Sequence, residues 1–538
     1  MNNQMAYRHN QTPLDLDVKN YDRELTYVKE ETYNLFYNGS SKSVGAATEL
    51  ICKFLKRHFN FKAILDDKSD ELWIYTEGIY IPNGVSRVDK ITRNITGNLF
   101  TSFIARQVTR KIIADSYIEM EEFFNGQNKY PYLMPVQNGI LNIKTLVINP
   151  FTPDLIFFNK LSMEFKPEAK CPKIEQFIRS IVKSEVDYLT IKELFGFCLL
   201  RDYKFEKGFM LYGEHGRNGK SKLLSLLEHF VGVPNTAAIS LNDIENDQFA
   251  IVSLQNKLVN IASDISNDAI KHTGKYKKIT GRDPVSANRK NKTRVQFVNY
   301  AKMIFTANEL PPVYTLSNAF WLRWVVIEFP YQFLPENELN ALAEKDKEIV
   351  FLQDQEILQK IETQEEREGL LVWALAGLKS LEERKYFANE TTASHIQKYW
   401  LRKSNSVAAF IEDSITTDYD CDMTKTDFRK FYHTYCKKHN IAQASDAVIK
   451  ITLQQTCGVS THQEKSSGLR KWVGIRLKNL IEYKTCKIMK ELKENPKGLT
   501  YNEVSNIFED REEFDLIMSQ LANSGDVFEL PKNEWRLK

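Results

Sequence analysis

Apolar residues recur at helical spacing in ELICKFLKRHFNF (49–61), whereas LWIYTEGIYIPNG (72–84) breaks at a glycine and reads as a hairpin. In VQNGILNIKTLVINPFTPD (136–154), Asn138-Gly139 supplies a hairpin dipeptide and an alternating strand follows. Residues 172–204 are helical, with Leu194, Phe195, Phe197, Cys198 and Leu199 too apolar to face water. Strands and helices alternate from 205 to about 330, the pattern of a parallel α/β core. Residues 334–386 read as acidic and helical, ending in the buried helix GLLVWALAGLKSL (369–381). Two small units close the chain, each with helices before a terminal hairpin, the layout of a winged helix or of a plain protein-interaction module.

The expected fold is therefore α/β. It comprises an α+β region of unknown role (1–130), a second N-terminal domain (131–204), the α/β core (205–390) and winged-helix-like units at 391–478 and 479–538. At 538 residues there is chain enough for three or four domains. Apolar residues at 42% and charged residues at 27% fit a globular protein and exclude a disordered or fibrous one. No run of 18 apolar residues occurs and the N-terminus lacks an apolar signal core, so neither a membrane span nor a secretory route is expected. The seven cysteines include no CxxC pair, which removes a zinc ribbon and suits a reducing, cytoplasmic setting with buried thiols. With 73 basic and 70 acidic residues, the formal charge of +3 by itself argues weakly against a nucleic-acid partner.

The sharpest local chemistry lies in GFMLYGEHGRNGKSKLLSLLEHF (208–230): an apolar strand, a glycine-rich loop and an amphipathic helix. Glycines let such a loop curl so that backbone N–H groups converge on a phosphate at the helix N-terminus. Gly216, Arg217, Asn218, Gly219, Lys220 and Ser221 are the expected nucleotide-binding residues. Lys220 would reach the β- and γ-phosphates and Ser221 would ligate Mg²⁺. Five residues rather than the usual four separate Gly213 from Gly219, so the loop is one residue longer at its start. Downstream, LVNIASDIS (258–266) carries Asp264 near a strand end, where Mg²⁺ would offset the cost of burying a carboxylate. AKMIFTANELPP (301–312) ends a strand at Asn308, an amide able to hold a water against the γ-phosphate, and SNAFWLRWVVIEFP (317–330) sets Arg323 beside another strand.

These elements, with VQNGILNIKT upstream and KKITGRDPVSANRK between the second and third, resemble superfamily 3 helicases of the phage/plasmid primase–helicase family with poxvirus-type relatives. The resemblance runs from about 130 to 480. It implies an AAA+-like P-loop ATPase core, a helicase-associated domain at 131–204, and a ring of six copies. Lys220 and Ser221 match the Walker A pair, Asp264 the Walker B acid, Asn308 the sensor asparagine and Arg323 the arginine finger given to the neighbouring subunit's ATP. Relatives often carry Glu at the acid, which leaves Asp268 as a second candidate for activating water, and Leu322 stands where they often carry another arginine.

Between 271 and 294, nine basic residues face Asp283 alone, a window of +8 that leaves −5 for the rest of the chain. A charge run is commonly a solvated face, but this one falls where the resembled helicases carry a pore-facing hairpin. Lys278, Arg289 and Lys290 are the expected contacts to single-stranded DNA, through phosphates rather than bases. Duplex DNA would meet the terminal units, and priming would come from a separate primase or polymerase, since the chain has no room for a primase domain and LDDKSDE (65–71) reads as a solvated acidic loop. The expected activity is an ATP-dependent replication helicase; an ATP-switched initiator or loader without processive unwinding shares every motif.

Overall fold

The computed structural model describes residues 22–37, 41–66, 70–263, 270, 272–290, 292–313, 317–341, 349–439, 441, 443–463 and 470–478, with 499–500, 518, 527–530 and 534–537 beyond them. The chain forms two compact units, 1–396 and 397–538.

The first unit opens with α1 (Asp22–Tyr37) and α2 (Ser41–His58), followed by an antiparallel sheet of β1 (Phe61–Ile64), β2 (Glu71–Thr76) and β3 (Ile79–Ile81). Helices α3 (Gly84–Thr96) and α4 (Ser102–Asp115) complete this layer, whose shared core includes Ile51, Leu55, Ile74, Val88 and Val108. The expected hairpin at 72–84 forms with Thr76 opposite Ile79, and both turn residues, Glu77 and Gly78, have positive φ. After α5 (Met120–Asn125) comes a meander of β4 (Leu133–Val136), β5 (Gly139–Asn142) and β6 (Val147–Asn149). Its first turn is Gln137-Asn138, one residue earlier than the Asn-Gly dipeptide suggests, because Val136 pairs with Gly139. The Asn138 side chain is committed elsewhere: it exchanges two 3.1 Å hydrogen bonds with the backbone of Phe165.

Helices α6 (Pro172–Ile181) and α7 (Glu185–Leu199) lead into β7 (Gly208–Tyr212), α8 (Lys220–Val231), β8 (Thr236–Ala237), α9 (Leu241–Asn246) and β9 (Val259–Ala262). Then follow α10 (Gly274–Thr280), the hairpin β10 (Pro284–Ala287) and β11 (Val295–Val298), β12 (Lys302–Ala307), α11 (Asn318–Trp321) and β13 (Trp324–Glu328). Five of these strands make one all-parallel sheet in the order β13-β7-β12-β9-β8. The order puts β12 at the centre with β7 beside it, and both are buried along their whole length, as strands covered on both faces must be. Residues 334–368 are less helical than their composition suggests. Besides α12 (Glu336–Asn340) and α13 (Ile357–Ile361), β15 (Val350–Leu352) pairs in parallel with β14 (Gln332–Leu334). The apolar run at 369–381 lies in α14 (Gln364–Arg384), which packs on α7; α15 (Ala393–Ser404) follows.

The second unit contains α16 (Ser406–Ser414), β16 (Ile415–Thr424), α17 (Lys425–His439), α18 (Asp446–Cys457), β17 (Ser460–Gln463) and β18 (Arg470–Leu477). Its antiparallel sheet has the order β16-β18-β17, and Phe410, Phe428, Tyr432, Leu453 and Trp472 fill its core. Of residues 479–538, the described parts are the strands β19 (Leu499–Thr500), β20 (Val527–Leu530) and β21 (Glu534–Leu537), in the order β19-β21-β20, and Met518. No helix among the described residues is long and apolar enough to cross a membrane.

Candidate nucleotide and nucleic-acid sites

The glycine-rich loop leaves the C-terminal end of β7 and enters α8, so the first-turn N–H groups of a 12-residue helix face the loop. Gly219 turns the chain at φ +88°, and its missing side chain lets Ile181 of α6 approach, since a Cβ there would lie 2.6 Å from the Ile181 Cγ2. Asn218 is buried and its amide donates to the His215 carbonyl at 2.6 Å, bracing the loop from inside. Arg217, also at positive φ, is tied to β14: its carbonyl accepts from the Phe333 N–H at 2.8 Å, and its guanidinium pairs with Glu338 at 2.7 Å. Gly216 lies on the exposed stretch between.

Lys220 is only 5% exposed. Its amine donates to the Gly213 carbonyl at 2.9 Å, to the Ala307 carbonyl at 3.3 Å and to the Asn308 Oδ1 at 2.7 Å. Asn308 follows β12, the neighbour of β7, so register Ala307↔Tyr212 brings two residues 88 apart in sequence onto one point. A buried ammonium held at the first turn of a helix, beside a glycine-rich loop, suits a polyanion. Ser221 is exposed and lines, with Phe177, Ile181, Phe333 and Leu352, a cavity of about 460 Å³ beside the loop. The donor set fits a nucleoside triphosphate: loop, helix N-terminus and lysine for phosphates, a hydroxyl for a cation, and an apolar recess for a base. The apolar wall comes from α6, β14 and β15, which carry no motif, so sequence spacing had no signal for it. Asp264 and Asp268 lie outside the described residues; β9 ends two residues before Asp264.

Arg323 sits at the opposite end of the sheet. Its carbonyl accepts from the Gly208 N–H at 2.7 Å, which puts it roughly 16 Å from the loop by strand rise. The guanidinium donates to the Ala319 carbonyl at 2.6 Å and lies 3.4 Å from Glu206. No site on its own chain's loop is within its reach.

The described residues of the basic window 271–294 include α10 and strand β10, whose hairpin with β11 is closed by the pair Ala287↔Val295, so that Arg289, Lys290, Lys292 and Thr293 lie at its tip. Lys278 on α10 and Lys290 at the tip are exposed. Arg289 is not: it is paired with Glu71 at 2.7 Å and Asp66 at 3.3 Å. Asp66 also accepts from the Thr293 N–H at 3.1 Å and hydroxyl at 2.9 Å, and its side chain has no exposure. Within the acidic stretch 65–71, Asp66 and Glu71 are therefore docking points for the hairpin rather than solvated acids; residues 67–69 lie outside the described residues. The physical reason is charge: a buried carboxylate at Asp66 is tolerable because a guanidinium and two donors meet it.

Two further cations were invisible in the sequence. Lys302, at the start of β12, is fully buried and donates to the Leu200 and Tyr300 carbonyls at 2.5 and 2.6 Å; burial pushes its amine down to about 7. Arg201 is buried over the Phe157 ring at 4.4 Å, and burial lowers it to about 10.

Residues 20–183 match the family model described as D5 N terminal like, and 211–319 match a family of unknown function, DUF5906. A putative helicase, L207/L206, of Acanthamoeba polyphaga mimivirus is 24% identical over 275 residues, which is 49% of this chain and 28% of the viral protein. The chain thus spans well under a third of that relative. Among solved structures, the apo C terminal region (305-718) of NrS-1 covers 79% of this chain and is itself 98% covered, at 16% identity and a TM-score of 0.40. A second apo form of that region gives 0.37.

Proposed function

We propose that this chain is an ATP-hydrolysing replication helicase that tracks on single-stranded DNA as a homo-hexameric ring and unwinds duplex DNA. The observation that carries the reading is the meeting of Lys220 and Asn308 at 2.7 Å, at the ends of adjacent parallel strands and beside a glycine-rich loop. The strand order β13-β7-β12-β9-β8 supports an AAA+-like P-loop core within superfamily 3, and the similarity to a putative helicase agrees. In this reading residues 205–390 are the ATPase, 1–130 and 131–204 precede it, and 391–478 and 479–538 are winged-helix-like. The order helix, strand, two helices, two strands in 406–477 favours that assignment and a hold on duplex DNA.

ATP and Mg²⁺ are the implied cofactors. Lys220 and the loop N–H groups hold the phosphates, while Ser221 and Asp264 would hold Mg²⁺, which neutralises charge developing on the transferred phosphoryl group. Asn308 has two partners to serve: it orients the Lys220 amine through its carbonyl oxygen and keeps its NH₂ for the attacking water. Arg323, remote from its own loop, supplies charge to the next subunit's ATP. Lys278 and Lys290 contact the DNA backbone, and Arg289 joins them only when released from Glu71.

The test is ATP hydrolysis and strand displacement on a forked substrate by wild type and Lys220→Ala. Hydrolysis stimulated by single-stranded DNA and displacement lost in Lys220→Ala are expected. Displacement by Lys220→Ala at the wild-type rate would overturn the helicase reading, and hydrolysis without displacement would favour an ATP-switched loader.

A further inference from the structure

A second cavity, of about 650 Å³, lies between the β1–β3 layer and the edge of the parallel sheet. Its walls combine aromatic rings, among them Trp73 and Phe158, with three cations, Lys160, Lys257 and Arg289, and one acid, Glu71. Trp73 and Phe158 are half-buried and meet edge to face at a centroid distance of 5.4 Å. Such rings offer apolar surface on which a nucleobase can stack.

The cations are held provisionally. Lys257 donates to the Pro234 carbonyl at 2.5 Å, and burial pushes its amine below the usual lysine value. Lys160 pairs with Glu77 at 3.0 Å, a carboxylate that is itself 56% exposed. Glu71 holds two tip residues at once, Arg289 at 2.7 Å and Lys292 at 3.2 Å. A carboxylate bridging a guanidinium and an ammonium occupies the geometry that a phosphodiester would take.

We propose that this cavity binds one nucleotide unit of a single nucleic-acid strand, its base against Trp73 and Phe158 and its phosphates on Lys257 and on an Arg289 displaced from Glu71. The site rests on the helicase reading and extends it. The strand would run from the hairpin tip into the N-terminal layer, so the tip is closed onto Glu71 without DNA and opened by it. Glu71 is then a phosphate mimic that sets the threshold for strand capture.

Two variants with opposite expected signs test this, using a labelled oligo-dT and the full chain. Lys257→Met keeps the stem and removes one phosphate contact. It should weaken binding about fivefold at 0.1 M salt and reduce the slope of log K against log salt by about 0.7. Glu71→Gln should tighten binding, by a similar factor, because Lys292 loses its carboxylate partner and Arg289 keeps only Asp66 of its two; a merely destabilised fold would not bind more tightly. Free dTMP should compete poorly, and equal competition by the mononucleotide would overturn the assignment to a strand. Wild-type affinity and slope in Lys257→Met, or unchanged or weaker binding in Glu71→Gln, would overturn the site. If wild type meanwhile shows DNA-stimulated hydrolysis and strand displacement, only this site falls; if wild type binds no oligonucleotide, the helicase reading falls with it.

Discussion

At Gly219 one backbone angle decides whether the loop exists. An L-residue at φ +88° costs about 1–2 kcal/mol, and a methyl 2.6 Å from Ile181 would push α6 away from the loop. Gly219→Ala should therefore raise the ATP dissociation constant at least about tenfold in a binding titration. Lys302 illustrates the reverse situation, a residue whose chemistry is set by its surroundings alone. Its amine titrates near 7 in the folded chain against an ordinary 10.5, because burial disfavours the charge. Between those values the unfolded chain binds the extra proton, so this group makes stability rise with pH across that window, and its full penalty is felt below pH 7. Lys302→Met lacks that dependence. In thermal melts the wild type should gain on Lys302→Met between pH 7 and pH 9.5; a constant gap would mean the amine is not titrating there.

At the scale of elements, α7 and α14 pack closely because small residues sit at their crossing. A Cβ on Gly196 would lie 2.3 Å from the Ala374 carbonyl, a backbone atom that cannot move alone. Gly196→Ala should cost about 1–3 kcal/mol in a denaturant titration, as overpacking commonly does. Both helices also pack on α8, the helix that follows the glycine-rich loop, so the loss should fall on the first unit rather than on one loop. The hairpin β10–β11 is the contrasting case. Its strands pair through only four residue couples, and its tip is fixed by ion pairs rather than by apolar burial. The pairs with Glu71 can be exchanged for pairs with phosphate, one anion for another, whereas buried Asp66 needs its partners kept and helix packing cannot be exchanged.

For the whole molecule, the +3 total conceals a +8 window, and that window is itself divided. Lys278 and Lys290 face solvent, while Arg289 and Lys292 are neutralised by Asp66 and Glu71. DNA affinity in the proposed ring should accordingly fall with salt despite the modest net charge. The position of Arg323, at the end of the sheet away from its own loop, leads to a sharper expectation. Arg323→Ala should bind ATP normally but hydrolyse it at least about a thousandfold more slowly. Mixing it with Lys220→Ala should restore hydrolysis, because an intact loop then meets an intact arginine across a subunit boundary. Mixtures as inactive as either parent, measured by phosphate release, would mean the arginine does not act between copies.

Local spacing carried the parallel core and the position of the glycine-rich loop, and it singled out Lys220 and Asn308, which the fold brings within 2.7 Å, because strand, turn and helix each leave a short-range pattern. The sequence also placed Arg323 before a strand. It could not say that Arg289 would meet Asp66 and Glu71, which are 223 and 218 positions away. Nor could it reveal Lys302 and Arg201 as buried cations, or the two cavities whose walls come from several elements each. Those features depend on which surfaces the fold brings together, and on what burial does to a charge once it is there. Periodicity records the backbone's local hydrogen bonding; partners across the fold, and the dielectric around them, belong to the tertiary structure alone.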